Sequence, residues 1–116
     1  MHEMALMGDI LNIVIEDAEQ KGITQLNKIE LLVGELSNAM PDALEMAFAI
    51  YKEQNPQLFA EHASLQIEHE EALSECIFCQ TRYKPDLKIS ICPSCNMPSG
   101  KLISGETFQV ISYEGE

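Results

Sequence analysis

The sequence predicts an α/β (α+β) protein, with two helices packed on a three-stranded sheet and a cysteine-rich insert before the last strand. Three observations lead there. Apolar residues recur at helical spacing in two segments and alternate with period two in three others. All four cysteines fall in one short stretch, as two Cys-x-x-Cys pairs. That stretch also differs in charge from the remainder. A chain of 116 residues, 46% hydrophobic and 22% charged, can bury one real core.

The first helix is expected from about Glu3 to Gln20. Met4, Met7, Leu11, Val14 and Ala18 recur at three- and four-residue steps, with Leu6, Ile10 and Ile13 widening the stripe. Lys21 suits its last turn, and Gly22 supplies a left-handed stop. Ile29, Leu31 and Val33 then alternate with Lys28, Glu30 and Leu32 in a largely buried strand ending near Gly34. Pro41 fits the first position of a second helix, with Asp42 where the dipole favours an anion. Leu44, Ala47, Phe48 and Tyr51 mark its buried face, and Asn55-Pro56 stops it. Leu65, Ile67 and His69 alternate with Gln66, Glu68 and Glu70 in a second strand whose charged side faces water. Phe108, Val110 and Ser112 alternate with Thr107, Gln109, Ile111 and Tyr113 in a third.

Cys76, Cys79, Cys92 and Cys95 lie between the last two strands, the pairs separated by twelve residues. Four thiolates at this spacing suit Zn²⁺ in a tetrahedral site, and four protein ligands leave no open position for catalysis. A thioredoxin-like redox pair needs one reactive pair at a helix start within a βαβ unit, and two equivalent pairs do not fit that pattern. Gln80 and Asn96 follow the second cysteine of each pair, where such knuckles want a positive φ that asparagine tolerates better than most residues. Arg82-Tyr83-Lys84 and Leu87-Lys88-Ile89 around Pro85-Asp86 read as a short hairpin. The insert is thus a zinc ribbon. The expected division is an α/β domain of residues 1–73 plus 102–116 and a ribbon domain of 74–101.

Seven basic against nineteen acidic residues give a net charge of −12. From Ser74 to Pro98, Arg82, Lys84 and Lys88 outnumber Glu75 and Asp86, leaving +1 there and −13 elsewhere. Such a body repels phosphate backbones and anionic lipid, so neither nucleic acid nor membrane is expected as the main partner. No run approaches the length of a membrane span, and Met1-His2-Glu3-Met4 lacks the basic start of a secretory signal. A cytoplasmic location is expected. There is no phosphate-binding loop, no nucleophile–base pair and no open histidine site, so the chain is not expected to be an enzyme.

Of the three histidines, His62 falls in a polar loop and His69 on the apolar alternation of a strand. His2 differs because it adjoins the α-amine. The amine of Met1, the His2 imidazole and the deprotonated amides of His2 and Glu3 can approach one ion through small chelate rings. An all-nitrogen square-planar set favours Ni(II) or Cu(II).

Taken together, Met1-His2-Glu3-Met4, the Val33-Gly34-Glu35-Leu36-Ser37 turn before an acidic apolar helix, and Cys76-x-x-Cys79 with Cys92-Pro93-x-Cys95 resemble the HypA/HybF family. These are nickel metallochaperones of nickel–iron hydrogenase maturation, which in some bacteria also serve urease. The resemblance covers essentially the whole chain in the same order. It implies that Cys76, Cys79, Cys92 and Cys95 hold a structural zinc ion and that His2 is the essential ligand for transient nickel cargo, with Met1 and Glu3 beside it. It also implies a hydrogenase-maturation GTPase and the hydrogenase large subunit as partners. The sequence leaves monomer and homodimer both open. Gln80 and Asn96 stand where the family often has glycine, and Asn55-Pro56-Gln57 replaces a common glycine turn. The alternative is a zinc-stabilised interaction adaptor that transfers no nickel.

Overall fold

The computed structural model describes residues 2–85 and 91–116. The order is α1 (His2–Gln20), β1 (Leu26–Gly34), α2 (Pro41–Gln54), β2 (Phe59–Glu70), β3 (Leu73–Cys76), β4 (Arg82–Tyr83), β5 (Gly100–Ser104) and β6 (Phe108–Gly115). Two three-stranded sheets result, β2-β1-β6 and β4-β3-β5. The first carries both helices and the main core, and the second contains Cys76 and adjoins the turns of the other three cysteines.

Met7, Ile10, Leu11, Val14 and Ala18 of α1 are buried, as their spacing requires. Ile13 is not part of this stripe. It is 61% exposed, because at 100° per residue it points well away from the line through Met7, Leu11 and Val14. The helix ends as expected at Gly22, with φ +74°. The Ile23 N–H donates to the Ala18 carbonyl at 2.9 Å and the Gly22 N–H to Glu19 at 3.2 Å, a Schellman closure.

β1 is the central strand, parallel to β2 and antiparallel to β6. Parallel neighbours need a crossover, and α2 provides it. Leu44, Ala47 and Phe48 of α2 are buried, and Tyr51 packs at the edge of the core. Ile29, Leu31 and Val33 are fully buried between the helices and the sheet, as their alternation implies.

Two strands depart from simple alternation. β2 begins at Phe59 rather than near Leu65, since Leu26 pairs with Phe59 whereas Lys28 pairs with Ser64. The extra residues between them break the period, so the sequence of this half reads as loop. Phe59, Ala60 and Ala63 are nonetheless buried, and the Phe59 ring meets Phe48 edge-on with centroids 5.5 Å apart. His62 therefore lies in a strand, exposed, and His69 is exposed on the same outer strand. In β6, Leu31 pairs with Val110 but Glu30 with Ser112, which leaves Ile111 as a bulge. The bulge inverts the phase of the strand. Tyr113, and not Ser112, joins Phe108 and Val110 against the core.

In the second sheet, Arg82 and Tyr83 pair with Glu75 and Ser74 of β3. Leu87-Lys88-Ile89, the other expected arm, lies outside the described residues.

Candidate metal centre

β3 delivers Cys76 at its end, and two similar turns carry the other three cysteines. The Cys76 N–H donates to the Thr81 carbonyl at 2.9 Å, and Gln80 N–H returns to the Cys76 carbonyl at 2.9 Å. The second turn repeats the pattern, with Cys92 N–H to Met97 at 3.0 Å and Asn96 N–H to Cys92 at 2.8 Å. Gln80 and Asn96 have φ of 60° and 58°, the left-handed conformation expected at these positions. Closing the turns this way leaves the cysteine side chains free to converge. Cys76 and Cys92 are buried, while Cys79 and Cys95 are open to solvent.

All four Sγ atoms lie within 4.8 Å of one another. Cys76 and Cys95 are 3.6 Å apart, as are Cys79 and Cys92. These separations are far too long for a disulfide of about 2.05 Å. They match the edge of a tetrahedron, roughly 3.8 Å for metal–sulfur bonds of about 2.3 Å. The residues fit a tetrahedral thiophilic ion, which would tie both turns to β3 and stabilise a unit with little apolar core.

Hydroxyl groups flank the sulfurs. Ser99 Oγ lies 3.1 Å from Cys76 Sγ, Thr81 Oγ1 lies 3.2 Å from Cys79 Sγ, and Thr81 also reaches Ser94 Oγ at 3.3 Å. The Ser99 hydroxyl, with the Cys79 N–H, pulls the Cys76 thiol down to about 6. The Met97 N–H also lowers Cys95, but burial and the neighbouring Cys76 and Cys92 sulfurs outweigh it and push Cys95 up to about 11. Negative charge on one sulfur thus opposes ionisation of the next, and a divalent cation removes that conflict.

The amino terminus is a separate place. Met1 lies outside the described residues. His2 begins α1 with its side chain exposed, whereas Glu3 is 8% exposed. The Glu3 carboxylate accepts the Met40 N–H at 3.2 Å, and this bond chiefly holds its pKa below the usual carboxylate value. Met40 precedes α2 and has no side-chain cap of its own, so Glu3 satisfies one donor at that helix end. Tyr51 Oη donates to the Met4 carbonyl at 2.9 Å, so α2 braces the first turn of α1 twice. His2 does not join the cysteines: among the described residues, the four cysteines are the one group of three or more metal-ligating side chains.

Sequence reasoning missed the supporting groups. Ser99 and Thr81 carried no signal beyond their nearness to cysteines. Glu70 and Lys84 read as ordinary surface charges, and Glu35 entered only through the family resemblance. Gly105, between two strand patterns, was the available sign of a close backbone approach.

Two helices on a mixed sheet, joined to a small sheet that gathers four thiolates, define a metal-binding protein whose metal centre is closed by its own ligands. Residues 1–115 match the HypA family, described as hydrogenase/urease nickel incorporation, metallochaperone. The hydrogenase maturation factor HypA of Moorella thermoacetica is 35% identical over 116 residues, spanning all of both chains. That of Lawsonia intracellularis is 36% identical over 99 residues, covering 82% of this chain and 81% of the relative. Among solved structures, a solution structure of HypA protein superposes with a TM-score of 0.70 at 23% identity, covering 100% of this chain and 97% of the other. The Ni metallochaperone HypA from Helicobacter pylori does so with 0.65 at 21%, covering 97% and 96%. The chain belongs to the HypA family of nickel-incorporation metallochaperones, which are maturation factors and not enzymes.

Proposed function

We propose that this protein binds Ni(II) at its amino terminus and hands it to nickel–iron hydrogenase during maturation, with urease as a second possible recipient. His2 supplies the imidazole, Met1 the α-amine, and His2 with Glu3 the backbone nitrogens. The observation that carries this reading is the exposed His2 at the start of α1. The first N–H groups of a helix have no intrahelical partner, so the amides of the opening turn are available without breaking the helix. Because the Glu3 carboxylate is engaged by Met40, Glu3 contributes through its amide nitrogen. Cys76, Cys79, Cys92 and Cys95 hold Zn²⁺, whose role is structural.

Capture and release, not turnover, is the chemistry. Nickel binds at an exposed helix start and leaves when a partner offers a better ligand set. The partners are the hydrogenase-maturation GTPase and the hydrogenase large subunit, met in the cytoplasm by a monomer or homodimer. The division into residues 1–73 plus 102–116 and 74–101 is supported in outline by the two separate sheets, with the second sheet itself running from Leu73 to Ser104. No helix of the described residues is long and apolar enough to cross a membrane.

A nickel titration of untagged, zinc-loaded protein beside His2→Ala tests the reading. One site with square-planar absorbance bands, lost in the variant, is expected. A site indifferent to His2, or none, leaves the zinc-stabilised adaptor.

A further inference from the structure

The two sheets meet where three segments cross: the turn after β1, the link from β2 to β3, and the link from β5 to β6. Backbone bonds interlock them. The Gly34 N–H donates to Thr107 at 2.6 Å, the Leu36 N–H to Gly105 at 2.6 Å, and the Glu35 N–H to Glu70 at 2.8 Å. The fit is close, since a Cβ on Gly34 would stand 2.2 Å from the Gly105 carbonyl oxygen. Gly105 has φ +113°, and a Cβ there would stand 2.6 Å from Ala72 Cα. These glycines let the crossing strands touch backbone to backbone.

Two carboxylates complete the joint. Glu70 accepts the Gly105 N–H at 2.7 Å, the Thr107 N–H at 3.2 Å and the Thr107 hydroxyl at 3.0 Å, so it binds one link to the other. Glu35 accepts the Ala72 N–H at 2.9 Å, and Lys84 Nζ, just beyond β4, lies 2.7 Å from the same carboxylate. Glu35 therefore reaches from the first sheet across to the second. Link segments have few ladder partners, and an ionised carboxylate is the strongest acceptor a side chain can offer their N–H groups. The pKa values agree: Lys84 chiefly lowers Glu35, and the Gly105 N–H chiefly lowers Glu70.

We propose that Glu35 and Glu70 are positioning residues that fix the cysteine-bearing sheet relative to α1, so that the cysteine centre and the amino-terminal nickel site are carried as one rigid body. This rests on the nickel reading above for its functional consequence, though not for the joint itself. A partner that grips the second sheet then finds the nickel-bearing terminus in a fixed place. Without the carboxylates the backbone crossings alone would not hold the angle, and the second sheet would swing on its two links.

Residual dipolar couplings on zinc-loaded, isotope-labelled full chain test this. In the wild type, both sheets fit one alignment tensor. In Glu35→Ala/Glu70→Ala, each sheet keeps its internal couplings, yet the common tensor is lost. Glu70→Gln, which retains an acceptor oxygen, keeps it. Nickel affinity at the amino terminus stays unchanged in the double variant while nickel delivery to the hydrogenase large subunit in the presence of the GTPase falls, a split that a general loss of structure would not give. If the double variant does not fold, Lys84→Met removes the bridging cation from an exposed position, and the second sheet loses alignment relative to the first. Two tensors in the wild type, one tensor preserved in the double variant, or, where that variant does not fold, one tensor preserved in Lys84→Met, overturn the proposal. Absence of nickel binding in the wild type overturns the nickel reading and leaves the tensors to decide the joint.

Discussion

Replacing Gly34 by alanine probes the joint through space alone. Gly34 is not among the residues with positive φ, so its backbone accepts an L side chain. The added Cβ, however, meets Gly105 O at 2.2 Å, Gly105 C at 2.4 Å and Glu106 N at 2.8 Å. All three are backbone atoms, and none can rotate aside. Reaching ordinary contact near 3.4 Å requires the β5–β6 link to retreat by about 1.2 Å. That movement stretches two bonds of 2.6 Å, Gly34 to Thr107 and Leu36 to Gly105, beyond useful length.

Overpacking of this kind costs about 1–3 kcal/mol. Two lost backbone hydrogen bonds add about 0.5–1.5 kcal/mol each, giving a loss of about 2–6 kcal/mol in all. Gly22→Ala is the matched control, because Gly22 has φ +74° with nothing within 4 Å of a new Cβ. It tests conformation without collision and should cost about 1–2 kcal/mol. Urea unfolding of zinc-loaded protein, followed by far-ultraviolet circular dichroism, measures both on one scale. The chain has no tryptophan, which makes circular dichroism the better probe. A Gly34→Ala variant no less stable than Gly22→Ala would refute the steric argument.

Cys92→Ser removes a buried thiol of the four-cysteine cluster, and zinc content by mass spectrometry of the native protein should fall. Amide exchange should then quicken across β3 and β5 while β1 keeps its protection, since the thiolate cluster and not apolar burial holds the second sheet. Acid should weaken the protein through Glu3, Glu35 and Glu70. Their folded pKa values lie below the ordinary 4.5, so their stabilisation is complete above that value and is lost as pH falls through the lowered values. Urea midpoints measured from neutral pH downward should show a shallower acid decline in Glu70→Gln than in wild type. An identical decline would show that Glu70 does not contribute to it.

The body of the fold was legible because burial obeyed period. Met7, Leu11, Val14, Ile29, Leu31, Val33, Leu44 and Phe48 are buried where spacing put them. Legibility failed where period broke. The irregular start of β2 hid Phe59 and Ala63, and the bulge at Ile111 exchanged Ser112 for Tyr113 on the core face. A bulge adds one residue to one strand, and a single sequence without its partner gives no sign of where that falls. The cysteine centre was legible for a different reason: ligand spacing is local, and each Cys-x-x-Cys turn closes within its own few residues. The joint was not, because its carboxylates find donors 35 or more residues away along the chain.

On the proposed assignment, the separation of the two metal sites follows from their ligands. Thiolates in a closed tetrahedron satisfy a resident ion completely, and nothing in such a site invites exchange. Cargo must instead remain reachable by an incoming ligand. A helix start provides that, since its nitrogens project outward and no buried group depends on the ion. If both tasks shared one centre, tight retention would defeat release. Holding them apart raises a geometric demand, that a partner recognising one site must find the other, and the interlocked glycines and carboxylates between the sheets meet it. Substitutions should then separate holding from delivery: those at the cysteines should change what the protein retains, those at His2 what it captures, and those at Glu35 and Glu70 whether the captured ion reaches its recipient.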